Sequence, residues 1–135
     1  MKGDTIVKTV LSFYPDVEAI YLFGSYLTPD QQQESDVDIA VLFPHEKAAL
    51  LKNLAMSDCR AALEKVLKRT VDLINLRTVN TVFQNEIIQQ GRILYQRNER
   101  VVDEFEMQVM SSYQKLNEER AGILADILET GRILK

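Results

Sequence analysis

Asp36 and Asp38 stand one residue apart at the head of an apolar run, and a Gly24-Ser25 pair precedes them. Residues 22–43 read as a strand, a tight turn at Gly24-Ser25, a polar excursion and a second strand. Successive side chains of a strand point to opposite faces, so Asp36 and Asp38 project one way and Val37 and Ile39 the other. Two carboxylates on one face repel each other unless a cation lies between them. A pair of divalent ions answers that need, and Mg2+ takes carboxylates together with substrate phosphates. Gly24 lets the chain turn tightly and lets a phosphate come close. Ser25 opens a short helix or turn whose free N–H groups form an anion site. Acidic metal ligands beside a phosphate cradle describe phosphoryl or nucleotidyl transfer, in which the protein positions groups and neutralises charge. The alternative is a surface hairpin with a solvated acidic turn.

The elements around the motif agree with the first reading. Asp4 or Thr5 is expected to open a helix through Ser12, with Ile6, Val7, Val10 and Leu11 at helical spacing and Pro15 beyond its end. Residues 17–23 are the first strand and 36–43 the second, closed by Pro44. The run from Ile39 to Phe43 has no polar residue, which predicts burial on both faces. Residues 46–69 carry Leu51, Leu54, Ala55, Cys59, Ala62, Leu63, Val66 and Leu67 on one stripe, as one helix or as a pair split by a cap at Ser57-Asp58. Residues 70–76 are the third strand, with Val71, Leu73 and Asn75 on one face and Asp72, Ile74 and Leu76 on the other. Asp72 is then a carboxylate on an apolar strand and needs a partner or water. Asn80 opens a helix that ends at Gly91, residues 92–95 are a short, extended segment, and a helical tail follows from residue 98. This order predicts an α/β fold, a small mixed sheet flanked by helices with a long C-terminal helical tail. The domain division is residues 1–97 as a core and 98–135 as a helical extension, packed on the core, on a partner, or on both. A bend or break near Gly122 or Gly131 is expected.

Gly24-Ser25, ten residues, then Asp36-Val37-Asp38, flanked by Leu22-Phe23 and by the run from Ile39 to Phe43, resembles the signature of the minimal nucleotidyltransferases. These are a branch of the DNA polymerase beta superfamily. Over nearly the whole chain, including Gly91 to Tyr95 and the tyrosine-containing tail, the sequence is similar to the MNT antitoxins of HEPN/MNT toxin-antitoxin modules. The resemblance implies a Mg2+-dependent protein adenylyltransferase. Its partner would be a HEPN ribonuclease toxin, held in a hetero-oligomer, and it would silence that toxin by moving AMP from ATP to a tyrosine hydroxyl. Gly24 and Ser25 would hold the β- and γ-phosphates. Asp36 and Asp38 would bind two Mg2+ ions. Asp72, standing where the family has its third carboxylate, would bind the ion nearest the attacking hydroxyl. The sequence departs from the family at Tyr26-Leu27-Thr28, where a base is often found; the next base is Lys47, with Lys65, Lys68 and Arg69 further on.

Composition bounds the alternatives. The chain has 135 residues, 46% of them hydrophobic, which suits one folded domain. Its net charge of −4 argues against a standing grip on nucleic acid. The single cysteine, Cys59, rules out an internal disulfide and a thiolate zinc cluster and is expected as a small buried hydrophobe. The absence of a membrane-spanning run and of a leader pattern at the start predicts a cytoplasmic protein. His45, the sole histidine, follows Pro44 at a helix start and is expected to be structural. Two other functions remain open: an antitoxin that only binds its toxin, and a nucleotidyltransferase of small hydroxyl compounds, for which the chain lacks an additional acceptor domain.

Overall fold

The computed structural model describes residues 2–24, 36–51 and 57–130. In chain order the elements are α1 (Lys2–Phe13), β1 (Ala19–Phe23), β2 (Val37–Leu42), α2 (His45–Leu50), α3 (Asp58–Leu67), β3 (Val71–Asn75), α4 (Thr81–Gln90), β4 (Arg92–Gln96) and α5 (Glu99–Thr130). The segment expected only as extended at 92–95 is a true fourth strand. The sheet order is β3-β2-β1-β4. β1 pairs antiparallel with β2 and β4, and β2 pairs parallel with β3, so the sheet is mixed as expected.

The central position of β2 follows from its composition. Ile39 to Phe43 are all fully buried, because helices cover both faces of the strand they form. On one face Ile39, Val41, Ile20 and Leu22 pack with Ile6 and Val10 of α1 and with Cys59 and Leu63 of α3. On the other, Ala40, Leu42, Tyr21 and Phe23 pack with Ile87 of α4 and with Val102, Phe105 and Val109 of α5. Cys59 lies in the first cluster as a buried free thiol, as expected.

Side-chain caps start the helices. Ser57 accepts from the Arg60 N–H at 3.2 Å and opens α3, which separates α3 from α2; the stretch between them, 52–56, lies outside the described residues. Asn80 accepts from the Phe83 N–H at 2.8 Å and opens α4. α3 also secures the edge strand: Arg60 Nε donates to the Val71 carbonyl at 2.9 Å, and Glu64 accepts from the Val71 N–H at 3.0 Å. At the end of the sheet where β2 finishes, Arg77 donates to the Phe43 carbonyl at 2.5 Å and to Glu18 at 2.8 Å, and lies 5.2 Å over the Phe105 ring.

Of two expectations about glycine, one needs correction. Gly91 caps α4 as expected, in extended conformation at φ −80°. Glycine is required there by contact: a Cβ would collide with the Ile87 carbonyl and stand 3.3 Å from the Leu22 carbonyl and 3.4 Å from the Phe23 Cβ. Gly122 does not break the tail, since α5 runs through it for 32 residues without interruption. One exposed glycine costs a helix only about 1 kcal/mol, too little to end one this long. Gly131 lies outside the described residues. The first turns of α5 bury Val102, Phe105 and Val109 in the core, whereas Met107, Met110 and Ile123 remain exposed. Tyr21, fully buried on β1, donates to Glu106 of α5 at 2.6 Å and ties the helix to the middle of the sheet. No helix among the described residues is long and apolar enough to cross a membrane.

Candidate active site

The acidic residues gather where β2 and β3 begin and β1 ends. Asp38 is the second residue of β2, with register partners on both sides: Phe23, the last residue of β1, and Asp72, the second residue of β3. Alternation along the strands puts Asp38 with Ala40 and Leu42, and Asp72 with Ile74 and Leu76, so both carboxylates project on the face that carries α4 and α5. Val37 and Val71, one residue earlier, are buried on the opposite face. Asp36 stands just before β2 and is exposed; Asp72 is exposed and Asp38 half-buried.

The carboxylates act on one another. Burial first, then the neighbouring charges of Asp72 and Asp36, together push the Asp38 carboxyl up to about 6. Among the described residues no cation acts on Asp38 in opposition. Asp72 is exposed on the edge strand, so water solvates it, and its register partner is another carboxylate, which leaves a demand for positive charge between the two.

Gly24 completes this corner. Its φ is +81°, in the left-handed region that favours glycine. A Cβ there would run into the Asp38 carboxylate, standing 2.9 Å from its Cγ and 3.3 Å from its Cβ. Gly24 therefore lies directly against Asp38, as expected. Ser25, Tyr26 and the glutamine-rich excursion lie outside the described residues.

Lys47, Lys65 and Lys68 take other places. Lys47 is tied to Asp16 at 2.7 Å, on α2 beyond the end of β2 opposite the aspartates. Lys65 and Lys68 are exposed, and Lys68 ends α3 in a left-handed conformation at φ 56°. His45 begins α2, beside Arg77, Gln84 and Phe105 in a cavity of about 210 Å³. A larger cavity, about 480 Å³, lies between α4 and α5. Neither cavity includes an aspartate of the cluster, which lies on an open face.

The donor set suits a hard divalent cation: all oxygen, all carboxylate, with one member deprived of solvent. Among the described residues no three His, Cys, Asp or Glu side chains stand close enough to hold an ion unaided. Mg2+ is commonly held by one or two carboxylates plus substrate phosphates, so the cluster fits a site that substrate completes.

Sequence reasoning missed the aromatic side of this corner. Phe23, beside Asp38, meets Phe83 of α4 edge to face, with ring centroids 5.8 Å apart. The only signal in the sequence was Phe23 itself, which reads as an ordinary strand residue.

Residues 6–100 match the polymerase beta nucleotidyltransferase family. The chain belongs to that family. This nucleotidyltransferase is 35% identical over 130 residues to the protein adenylyltransferase MntA of Shewanella oneidensis, a match that covers 95% of this chain and 88% of the relative. It is similar also to solved structures. One is of a toxin-antitoxin with AMP-PNP, where the matched chain is 33% identical with a TM-score of 0.79 over 95% of this chain and 99% of that one. Another is of the tri-AMPylated Shewanella oneidensis HEPN toxin in complex with MNT antitoxin, with 29% identity and a TM-score of 0.69 over 94% of this chain and 96% of that one. The complex of MntA with HepT matches at 27% identity and a TM-score of 0.67, over 94% and 97% of the two chains.

Proposed function

We propose that this nucleotidyltransferase is an antitoxin that transfers AMP from ATP to a tyrosine hydroxyl of a HEPN ribonuclease toxin and thereby silences it. The observation that carries the reading is the packing of the Gly24 turn against Asp38, in register with Asp72. Its likeness to an adenylyltransferase over nearly the whole chain supports the choice of AMP as the group transferred. The likeness to chains from toxin-antitoxin structures supports the choice of acceptor.

In this reading Asp36, Asp38 and Asp72 hold Mg2+, two ions in all. Bound there, Mg2+ would neutralise the triphosphate and lower the acceptor hydroxyl's pKa from about 10. Gly24, lacking a side chain, lets the backbone of the turn approach the β- and γ-phosphates, with Ser25 as the second contact. Asp72 stands at the edge strand and is exposed, so an incoming hydroxyl can reach it. It helps to remove the hydroxyl proton. The phenolic oxygen bonds to the α-phosphorus, the bond from that phosphorus to the bridging oxygen breaks, and pyrophosphate leaves. No cation acts on Asp38 among the described residues, so nucleotide affinity leans on metal, on backbone, or on a more distant base such as Lys65, Lys68 or Arg69. The extension from residue 98 serves as core and partner surface together, which the buried Val102 and exposed Met107, Met110 and Ile123 support. A cytoplasmic place of action is consistent with ATP as the substrate.

The test is incubation with ATP labelled at the α-phosphate, Mg2+ and the HEPN-type protein encoded beside it. Label on the toxin, with loss of its ribonuclease activity, is the expected result. A complex that forms and inhibits without label would overturn the catalytic reading in favour of inhibition by binding. Label on a small hydroxyl compound alone would make the chain a small-molecule nucleotidyltransferase.

A further inference from the structure

We propose that Phe83 is a positioning residue for this transfer, acting through Phe23 on the Gly24 turn; the inference rests on the function proposed above. Phe23 ends β1, immediately precedes Gly24 and is the register partner of Asp38. Partners across an antiparallel pair share a face, with Cβ atoms about 4.5–5.5 Å apart. Phe23 is therefore the side chain between the acidic cluster and the core, and it is 8% exposed.

Two contacts hold it. Phe83 presents its ring edge to face, with an interplanar angle of 76°. At the α4–β4 corner the backbone of Gly91 comes so close that a Cβ would lie 3.4 Å from the Phe23 Cβ. The exit of β1 is thus closed in by α4 and by the corner that follows it. The next residue, Gly24, rests on the Asp38 carboxylate with no side chain between them. Any shift of Phe23 then moves the phosphate turn relative to Asp38, and those two must stay aligned for in-line attack. Phe83 touches neither group directly. It acts by fixing the residue that joins them.

The test compares AMP transfer to the toxin by the wild-type chain, Phe83→Ala, Phe83→Tyr and Val102→Ala, at a temperature where all are folded. Val102, fully buried on α5 in the same core cluster, controls for a general loss of packing. Phe83→Ala is expected to lower kcat about 10- to 100-fold, the loss that a misplacement of order 1 Å brings. KM for ATP is expected to rise by less than kcat falls, because the displaced turn both holds the phosphates and aligns them for attack. Phe83→Tyr, which keeps the ring, restores kcat, and Val102→Ala loses stability without that drop. Should Phe83→Ala not fold, Phe83→Leu keeps the apolar volume without the ring and shows the same fall in kcat. Equal kcat values for Val102→Ala and the variant without the ring would overturn the inference while leaving the function standing. A wild-type chain that transfers no AMP would overturn both.

Discussion

Asp38 and Asp72 are register partners across the parallel β2–β3 ladder, two carboxylates held on one face by strands that cannot slip without burying them. The ladder keeps them together against their own repulsion, and the core beneath, from Ile39 to Phe43 and from Leu73 to Leu76, stabilises the arrangement.

The repulsion has a signature in pH. The Asp38 carboxyl is pushed up to about 6 from 3.8, so the folded state holds a proton that the unfolded chain releases. Stability of the metal-free protein should therefore fall as pH rises from about 4 to about 6 and level off above. Two units correspond to about 3 kcal/mol, which screening at this half-exposed site reduces to about 1 kcal/mol. Asp38→Asn should flatten this dependence and raise metal-free stability at neutral pH, while AMP transfer disappears. Urea titrations at several pH values, with and without Mg2+, check it. A flat wild-type profile would mean that the carboxylates do not interact.

Divalent metal should stabilise the wild-type protein and not the variants that lack its ligands. Mg2+ with AMP-PNP is expected to raise the melting temperature of the wild type. Asp38→Asn and Asp72→Asn should lose that increment, and Asp36→Asn or Asp38→Asn should transfer no AMP. Differential scanning fluorimetry reads the first effect and labelled toxin the second.

Gly24→Ala places a methyl group on the Asp38 carboxylate and forces alanine to positive φ. The backbone term alone costs about 1–3 kcal/mol. Transfer should fall below detection while circular dichroism still reports the folded sheet. An active Gly24→Ala variant would show that this turn does not shape the site.

Tyr21→Phe removes the donor that reaches Glu106 at 2.6 Å and leaves that carboxylate without its phenol. The cost is expected at about 1–3 kcal/mol by urea denaturation, with the sheet intact, since the ring still fills its place. Hydrogen exchange should then increase along α5 more than along β2.

Cys59 should be inert in the native state. It is fully buried, and burial pushes its thiol up to about 11, so thiolate is scarce at neutral pH. Reaction with a disulfide reagent should follow global unfolding and accelerate with denaturant. Rapid labelling of the folded protein would contradict the placement of α3.

Much of this protein was determined by its sequence alone. The apolar run after Asp38 required a central strand, and period-two alternation assigned Asp72 and its neighbours to their faces before any coordinates. Asn80 marked a helix start, and Ser57 offered one as the alternative to a single long helix, because such side chains can accept from the first free N–H groups of a helix. The motif pointed to a meeting of Gly24 with Asp38. The tertiary structure decided what depends on distant segments arriving together. Residues 92–96 become a strand only because β1 offers them an edge, and five residues carry too little local signal to declare it. Gly91 is held to glycine first by the Ile87 carbonyl four positions back, and it also abuts Leu22 and Phe23, almost seventy positions away. The Phe23–Phe83 contact, the raised Asp38 carboxyl and the uninterrupted α5 are likewise products of packing, because burial and contact order enter a chain's energetics only once its elements have closed on one another.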